Sequence, residues 1–407
     1  MTHVVIIGAS LAGTSCAQRL VESDSDIKVT LISDEVDVAY DRPPLSKSLK
    51  LGETLPIVDL DPQERLSSER VSLLAGVGAE SINVAAKQVN VGDNNVSYDK
   101  LVIATGARAR MLPPFEIEGA PVATLRTLGD AKKIQAILES KNAPRVGIVG
   151  GGFIGLELAS ALSETCQVDL FEAQENLLSR VLPKEISDRV AARHAEAGVN
   201  IHISAQITGV EGNSEQVQLT LADGQVFECD LVVLGVGAIP NDELASKAGL
   251  PIDNGIAVDA TLRASDDVYA AGDCCSFPLA LTGQRVRLES WRNAQEQGLH
   301  IADQILSGEH SAFGGLPWFW SDQYDLGLQM AGWPNSAAQR VIRDMGDSLL
   351  CFELDQDSKL SAVSGIGPGN SVAKDIKICE RLMAASKILS AEDLADSSVN
   401  LKKLMKG

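Results

Sequence analysis

The chain carries one local design twice, and that repeat constrains its fold more than any other feature. Residues 4–7 form an apolar run that leads into Gly8-Ala-Ser10-Leu-Ala12-Gly13 and a helical stretch over 14–20. Residues 145–149 lead in the same way into Gly150-Gly-Gly152-Phe153-Ile154-Gly155 and a helical stretch over 156–164. A continuous apolar run suits a parallel strand buried on both faces. A glycine-rich turn opening a helix offers unpaired N–H groups and a positive dipole end to a pyrophosphate. The second copy has the full G-x-G-x-x-G spacing. In the first, Ser10 replaces the middle glycine, where the backbone must approach the phosphate closely; its hydroxyl is small and can donate.

Each copy is followed by a strand ending in an acid. Residues 27–35 end in Asp34-Glu35 and residues 167–172 end in Glu172. A carboxylate there accepts hydrogen bonds from a ribose. The spacing does not choose between Asp34 and Glu35. The charge of Glu172 repels a 2′-phosphate and argues for NADH, and only Arg180, further on, favours NADPH. The apolar strand over 98–106 ends in Thr105-Gly106, and 229–237, ending at Gly237, echoes it; each closes a nucleotide domain. Residues 268–273 read as a further strand, with Asp273 at its end placed to hold a polyol chain. Two dinucleotides in one chain imply a tightly held flavin and a diffusible nicotinamide.

Between these marks, Tyr40-Asp-Arg42-Pro-Pro-Leu-Ser46-Lys47 reads as a rigid turn with Ser46 capping a short helix. Arg126 is expected in a short strand, before a helix that opens at Gly129-Asp130. Past Pro317, Trp318, Trp320 and Tyr324 crowd together. Residues 329–332, 338–343, 349–354 and 360–366 then alternate like antiparallel strands, with helices over 371–384 and 390–394.

A net charge of −20, from 35 basic and 55 acidic residues, argues against a nucleic-acid partner. An acidic protein partner would need a local basic patch, for which Arg42, Arg65, Arg287, Arg292, Arg340, Lys374 and Lys377 are candidates. The seven cysteines form no C-x-x-C, so buried free thiols are expected, with no disulfide framework and no metal site. No apolar run reaches the length of a membrane span, and residue 4 already begins a strand, so a cytoplasmic protein without membrane contact is expected.

With these marks the chain resembles the two-dinucleotide, glutathione-reductase-like flavoproteins. Within them, Tyr40 to Lys47, Val286-Arg-Leu-Glu-Ser-Trp291 and Trp318-Phe-Trp-Ser-Asp-Gln-Tyr324 resemble the NADH-dependent ferredoxin reductases of bacterial oxygenase systems. Ser10 in the first fingerprint, and Asp325 and Leu326 after the tryptophan motif, depart from the pattern. The resemblance implies an α/β fold with two Rossmann-like domains and a C-terminal α+β domain. FAD binding would fall to 1–113 and 246–316, NAD binding to 114–245, and the last domain would be 317–407. FAD would touch Gly8, Ser10, Ala12, Gly13, Asp34 (with Glu35 beside it), Arg42, Lys47, Ala79, Thr105, Gly106, Arg126, Asp273 and Trp291. NADH would touch Gly150, Gly152, Phe153, Ile154, Gly155, Glu157, Glu172 and Gly237. Lys47 would pair with Glu157 near the reacting flavin, with Trp320 at the flavin edge.

Disulfide reductases of this superfamily carry redox cysteines after the second strand, and residues 33–50 contain none. Thiol routes therefore have no residue there to run on. The expected activity is NADH:ferredoxin oxidoreduction, feeding a Rieske-type terminal oxygenase through a [2Fe–2S] ferredoxin. The chain would be a monomer or a weak homodimer. The alternatives are a rubredoxin or nitrite reductase component, or a redox-sensing flavoprotein of the apoptosis-inducing-factor type.

Overall fold

The computed structural model describes residues 2–405 apart from 24, 25, 38 and 335–338. It divides into two units, each gathered from three stretches of chain.

The first unit comprises Met1–Asp41, Ile57–Arg108 and Ile239–Trp318. Its six-stranded sheet runs, edge to edge, Arg263–Ser265, Val268–Ala270, Lys100–Ile103, Thr2–Ile7, Ile27–Ser33, Val71–Ala75. All pairings are parallel except that of Arg263–Ser265. Val4, Val5 and Ile6 lie at the centre and are fully buried, as the unbroken apolar run requires. Helix Leu11–Glu22 covers the sheet and packs on Trp291–Ser307. Gly298 is needed at that crossing, because a Cβ there would lie 2.3 Å from the Ala12 carbonyl oxygen. The stretch over 70–83 holds two strands, Val71–Ala75 and Ser81–Asn83. Ser81–Asn83 joins Gln88–Val91 and Asn94–Ser97 in an antiparallel meander. Asp273 lies beyond its strand, in the single turn Gly272–Cys274.

The second unit comprises Arg42–Pro56, Ala109–Ala238 and Phe319–Gly407. Its parallel sheet has the order Asn200–His202, Gln167–Phe171, Arg145–Val149, Leu231–Leu234, Val122–Thr124. An antiparallel sheet of Ile207–Gly212, Val217–Leu221 and Val226–Cys229 shares a core with it, built on Val149, Phe171, Leu219 and Leu234. The C-terminal sheet is antiparallel, in the order Trp318–Gln323, Leu326–Gly332, Leu360–Pro368, Leu349–Leu354, Gln339–Asp344, with helix Ala373–Ala384 packed on it. Of the strand expected over 338–343, Ala338 lies outside the described residues.

Three local expectations are corrected. Arg126 is not in a strand, which ends at Thr124. The backbone N–H groups of Arg126 and Thr127 instead donate to Asp130 Oδ2, and Thr127 caps helix Leu128–Glu139 in a capping box. Ser46 is not a cap. Pro43 precedes helix Pro44–Lys47, because proline at a first turn loses no hydrogen bond, and Ser46 sits inside it. The helix expected over 156–164 begins earlier, at Phe153, and ends at Leu162.

Candidate functional site

The two glycine-rich turns are near copies. Gly8 has φ +114° and Gly150 has φ +111°, which only glycine adopts readily. A Cβ on them would fall 2.1 Å from Ala104 O and 2.4 Å from Gly235 O, so each turn is pressed against the next strand's end. Gly13 and Gly155 close the turns on themselves, with added Cβ atoms 1.9 Å from Gly8 O and 2.2 Å from Gly150 O. Gly152 differs. It N-caps its helix at φ −84°, ψ 179°, and a Cβ there would meet nothing nearer than Gly235 O at 3.9 Å. The protein's own packing does not require glycine at this position, whereas a pyrophosphate lying on the backbone would. Ser10 has the equivalent conformation, φ −91°, ψ −168°, and its side chain does not cap its helix. Near the first turn, Gly272 N–H donates to Gln297 Oε1 at 2.8 Å, while Gln297 Nε2 and Asn293 Nδ2 are buried donors without a partner among the described residues. Both turns thus fit a dinucleotide.

The acids after the second strands are arranged differently in the two copies. Glu35 accepts from Tyr40 Oη at 2.5 Å, whereas Asp34 is exposed beside Gly78. Glu172 accepts from Gly151 N–H at 2.7 Å and from Gln174 N–H at 2.8 Å, and so braces the second glycine turn. Thr105 Oγ1 donates to Asn241 O at 2.6 Å, and Gly106, at φ +66°, turns the chain there. Trp291 opens helix Trp291–Ser307, with Nε1 donating to Asp41 Oδ1 at 2.7 Å. In the second unit, Arg42 Nη1 donates to the Arg126 carbonyl at 2.7 Å. Ile154 is an exposed apolar side chain in the first turn after Gly152, and Phe153 lies against Phe319, with ring centroids 4.2 Å apart. Gly237, at φ +99°, has open space where a Cβ would stand.

The second unit also builds a buried charge centre. Glu157 projects from helix Phe153–Leu162 and is only 3% exposed. Lys47 Nζ lies 3.4 Å from Glu157 Oε1 and 3.0 Å from Asp322 Oδ2. Ser46 donates to Glu157 Oε2 at 2.5 Å, and Ser321 donates to Oε1 at 2.6 Å. Burial pushes the Glu157 carboxyl above its ordinary value; Lys47, then Ser321 and Ser46, oppose that rise by favouring the carboxylate. Lys47 Nζ also sits 4.9 Å from the Trp320 ring centre, and Trp320 Nε1 donates to Asp322 Oδ2 at 3.1 Å. The arrangement holds a cation beside an aromatic face and a buried carboxylate. Of these groups, the sequence reading had singled out Lys47, Glu157 and Trp320; it missed Ser321 and Asp322 and gave Ser46 another role. The alternation within Trp318–Gln323, with Ser321 and Gln323 buried and Asp322 exposed, is the signal that finds them.

All seven cysteines are free, and six are buried. Burial pushes the thiols of Cys16, Cys229 and Cys351 up to about 12, far from the thiolate needed for exchange. Several candidate docking cations already have acidic neighbours: Arg65 with Glu22, Arg287 with Glu289, Arg340 with Glu353 and Lys377 with Glu380. Among the described residues, no helix is long and apolar enough to cross a membrane.

Comparison with known proteins agrees with this geometry. Residues 2–298 match the pyridine nucleotide-disulphide oxidoreductase family, and residues 318–405 match the reductase C-terminal family. The chain is 34% identical to rhodocoxin reductase of Rhodococcus erythropolis, over 98% of this chain and 93% of that protein. It is also 34% identical to the benzene 1,2-dioxygenase system ferredoxin–NAD(+) reductase subunit of Pseudomonas putida, over 99% of this chain and 98% of that one. Among solved structures, it resembles the reductase in the covalent putidaredoxin reductase–putidaredoxin complex, with a TM-score of 0.91 and 33% identity, covering 100% of this chain and 98% of that one. The chain is an oxidoreductase of the pyridine nucleotide-disulphide oxidoreductase family, and it belongs to the branch that includes the ferredoxin–NAD(+) reductases of oxygenase systems.

Proposed function

We propose that this protein is an FAD-dependent NADH:ferredoxin reductase that supplies a [2Fe–2S] ferredoxin and, through it, a Rieske-type oxygenase. The observation that carries the reading is the ion pair between Lys47, at the end of helix Pro44–Lys47, and buried Glu157, on the helix that Gly152 opens. A flavin, when bound, accepts two electrons as hydride from NADH and releases them one at a time. The protein's part is to bind, orient and tune. Gly8, Ser10, Ala12, Gly13, Asp34, Ala79, Asp273 and Trp291 would hold the FAD, with Arg42, Lys47 and Arg126. Gly150, Gly152, Phe153, Ile154, Gly155, Glu172 and Gly237 would hold NADH. Lys47 offers positive charge, Glu157 keeps that charge in place, and Trp320 shields it from water. On this reading, 1–113 with 246–316 is the FAD domain, 114–245 the NAD domain and 317–407 the C-terminal domain. The relatives named above, one the ferredoxin–NAD(+) reductase subunit of a benzene 1,2-dioxygenase system and one a reductase in covalent complex with putidaredoxin, support a ferredoxin as acceptor.

The test is NADH-driven cytochrome c reduction by the purified yellow protein, with and without a small [2Fe–2S] ferredoxin. A large, saturable increase on adding ferredoxin is expected. No increase, while NADH still bleaches the flavin, would overturn ferredoxin as the acceptor. Coenzyme choice gives a second check. Glu172→Arg is expected to lower kcat/KM for NADH by about 10²-fold, because it removes a ribose acceptor and the partner of Gly151 N–H. The same change should raise the NADPH-to-NADH ratio in steady-state kinetics. An unchanged ratio would remove Glu172 from the ribose site.

A further inference from the structure

Behind Glu157 the second unit contains a line of polar side chains that its core packing alone does not explain. Ser321 Oγ, 2.6 Å from Glu157 Oε1, accepts from Gln323 Nε2 at 3.0 Å. Gln323 Oε1 lies 2.9 Å from His194 Nε2, and His194 Nδ1 lies 3.2 Å from Tyr324 Oη. Ser321 and His194 are fully buried and Gln323 nearly so.

The direction of every bond follows from the two ends. A carboxylate only accepts, so the Ser321 proton points at Glu157. Ser321 Oγ must then accept from its other neighbour, which turns the amide nitrogen of Gln323 towards it. The amide oxygen is left for His194, so the imidazole proton sits on Nε2. Nδ1 is then an acceptor, and Tyr324 donates. A neutral ring is what this needs, and burial, with Arg193 nearby, lowers His194 to about 4. Tyr324 takes φ +55°, a conformation bulky side chains seldom adopt. It is held there by its N–H on Ser160 Oγ at 2.9 Å and by the Arg193 guanidinium 4.3 Å from its ring.

We infer that Tyr324, His194, Gln323 and Ser321 form a one-way hydrogen-bond chain that fixes the Ser321 proton on Glu157, making His194 and Gln323 positioning residues for the Lys47–Glu157 pair. Its bearing on catalysis rests on the function proposed above. The charged groups facing Glu157 are Lys47 and, beyond it, Asp322; those around His194 are Arg193 and its partner Asp325.

The test is the infrared C=O stretch of protonated Glu157 in the holoprotein, followed with pH and assigned by its loss in Glu157→Gln. Ser321→Ala is expected to raise the midpoint by about one pH unit, a tenfold change in proton affinity. Ser321→Thr should restore it. His194→Phe should raise it by less, in the same direction, and His194→Gln, which keeps an N–H donor, should not. A midpoint unmoved by His194→Phe, or by Ser321→Ala in protein of parental thermal midpoint, would overturn the inference. Should Ser321→Ala not fold, the His194 pair decides: equal midpoints in Phe and Gln variants overturn it. These readings follow Glu157 itself. Shifts as expected, with NADH oxidation insensitive to Lys47→Met, would leave the chain standing and sink the functional reading.

Discussion

Lys47→Met is expected to slow flavin bleaching by NADH by about 10²-fold or more, the scale of losing one preorganised charged group from a reacting centre. Methionine keeps the packed stem but leaves Glu157 with only the hydroxyls of Ser46 and Ser321. Of the groups that oppose the burial-driven rise of the Glu157 carboxyl, Lys47 is the strongest, so without it the carboxyl climbs further and holds its proton to higher pH. The consequence for stability has a definite sign. Below the ordinary value of 4.5 the carboxyl is neutral in both folded and unfolded chains. As pH rises past that value, the unfolded chain releases the proton while the folded one keeps it, so the unfolded state binds fewer protons and stability falls. The fall continues until the folded-state value is passed, which happens later in Lys47→Met. The stability deficit of the variant should therefore widen as pH is raised from weakly acid to neutral, and Glu157→Gln in the same background should remove that widening. Thermal midpoints across pH read this directly. A deficit independent of pH would show that Lys47 does not set the charge of Glu157.

Arg343→Met is expected to cost about 3 kcal/mol and to loosen the chain over 390–401. Arg343 is 3% exposed and lies on the edge strand Gln339–Asp344. Its guanidinium donates to three carbonyls: Nε to Leu394 at 2.6 Å, Nη2 to Asp393 at 2.8 Å and Nη1 to Val399 at 3.0 Å. Two of these carbonyls belong to the short helix Ala391–Ala395, whose C-terminal end favours a cation. Five-residue helices have little stability of their own, so this one depends on the arginine and on buried Leu394. Arg343→Lys should recover only part of the loss, since an ammonium cannot span three acceptors as the planar fork does. Hydrogen exchange and limited proteolysis over 390–401 measure the effect; unchanged protection there would refute it.

The glycine turns were legible because their chemistry is written in adjacent residues: strand, turn and helix occupy one short stretch, and Gly13 and Gly155 are demanded by contacts inside it, while Gly8 and Gly150 are pressed by a neighbouring strand's end. The antiparallel C-terminal sheet was legible from period-two alternation. Arg126 was misplaced although Thr127-x-x-Asp130 was in plain sight as a capping box. The surroundings of Glu157 were harder. Ser46 reaches it across 111 positions and Ser321 across 164, and serine alone carries no distance information. Half of the signal was nevertheless present: Ile186, Val190 and His194 recur on one helix face, which predicts a buried histidine without naming its partner. The bracing of Gly151 by Glu172 was hidden because the motif describes a ligand's needs and is silent on the turn's own.

The interleaving of the two units sets an order of assembly. The five parallel strands between Val122 and Leu234 come from one continuous stretch and can pair as soon as it is synthesised. The other sheet must wait, since Lys100–Ile103 finds its outer neighbour only when Val268–Ala270 arrives. Glu157 waits as well: Lys47 precedes it, but Ser321 lies 164 positions after it in the chain. During that interval the carboxyl lacks one of its donors, so the nascent chain carries a half-built polar core. Such long-range closure makes for slow folding, with exposed strand edges along the way. Chaperone demand during synthesis should thus be concentrated before residue 321 emerges, and ribosome-bound chains ending on either side of it would differ sharply in protease resistance around Glu157.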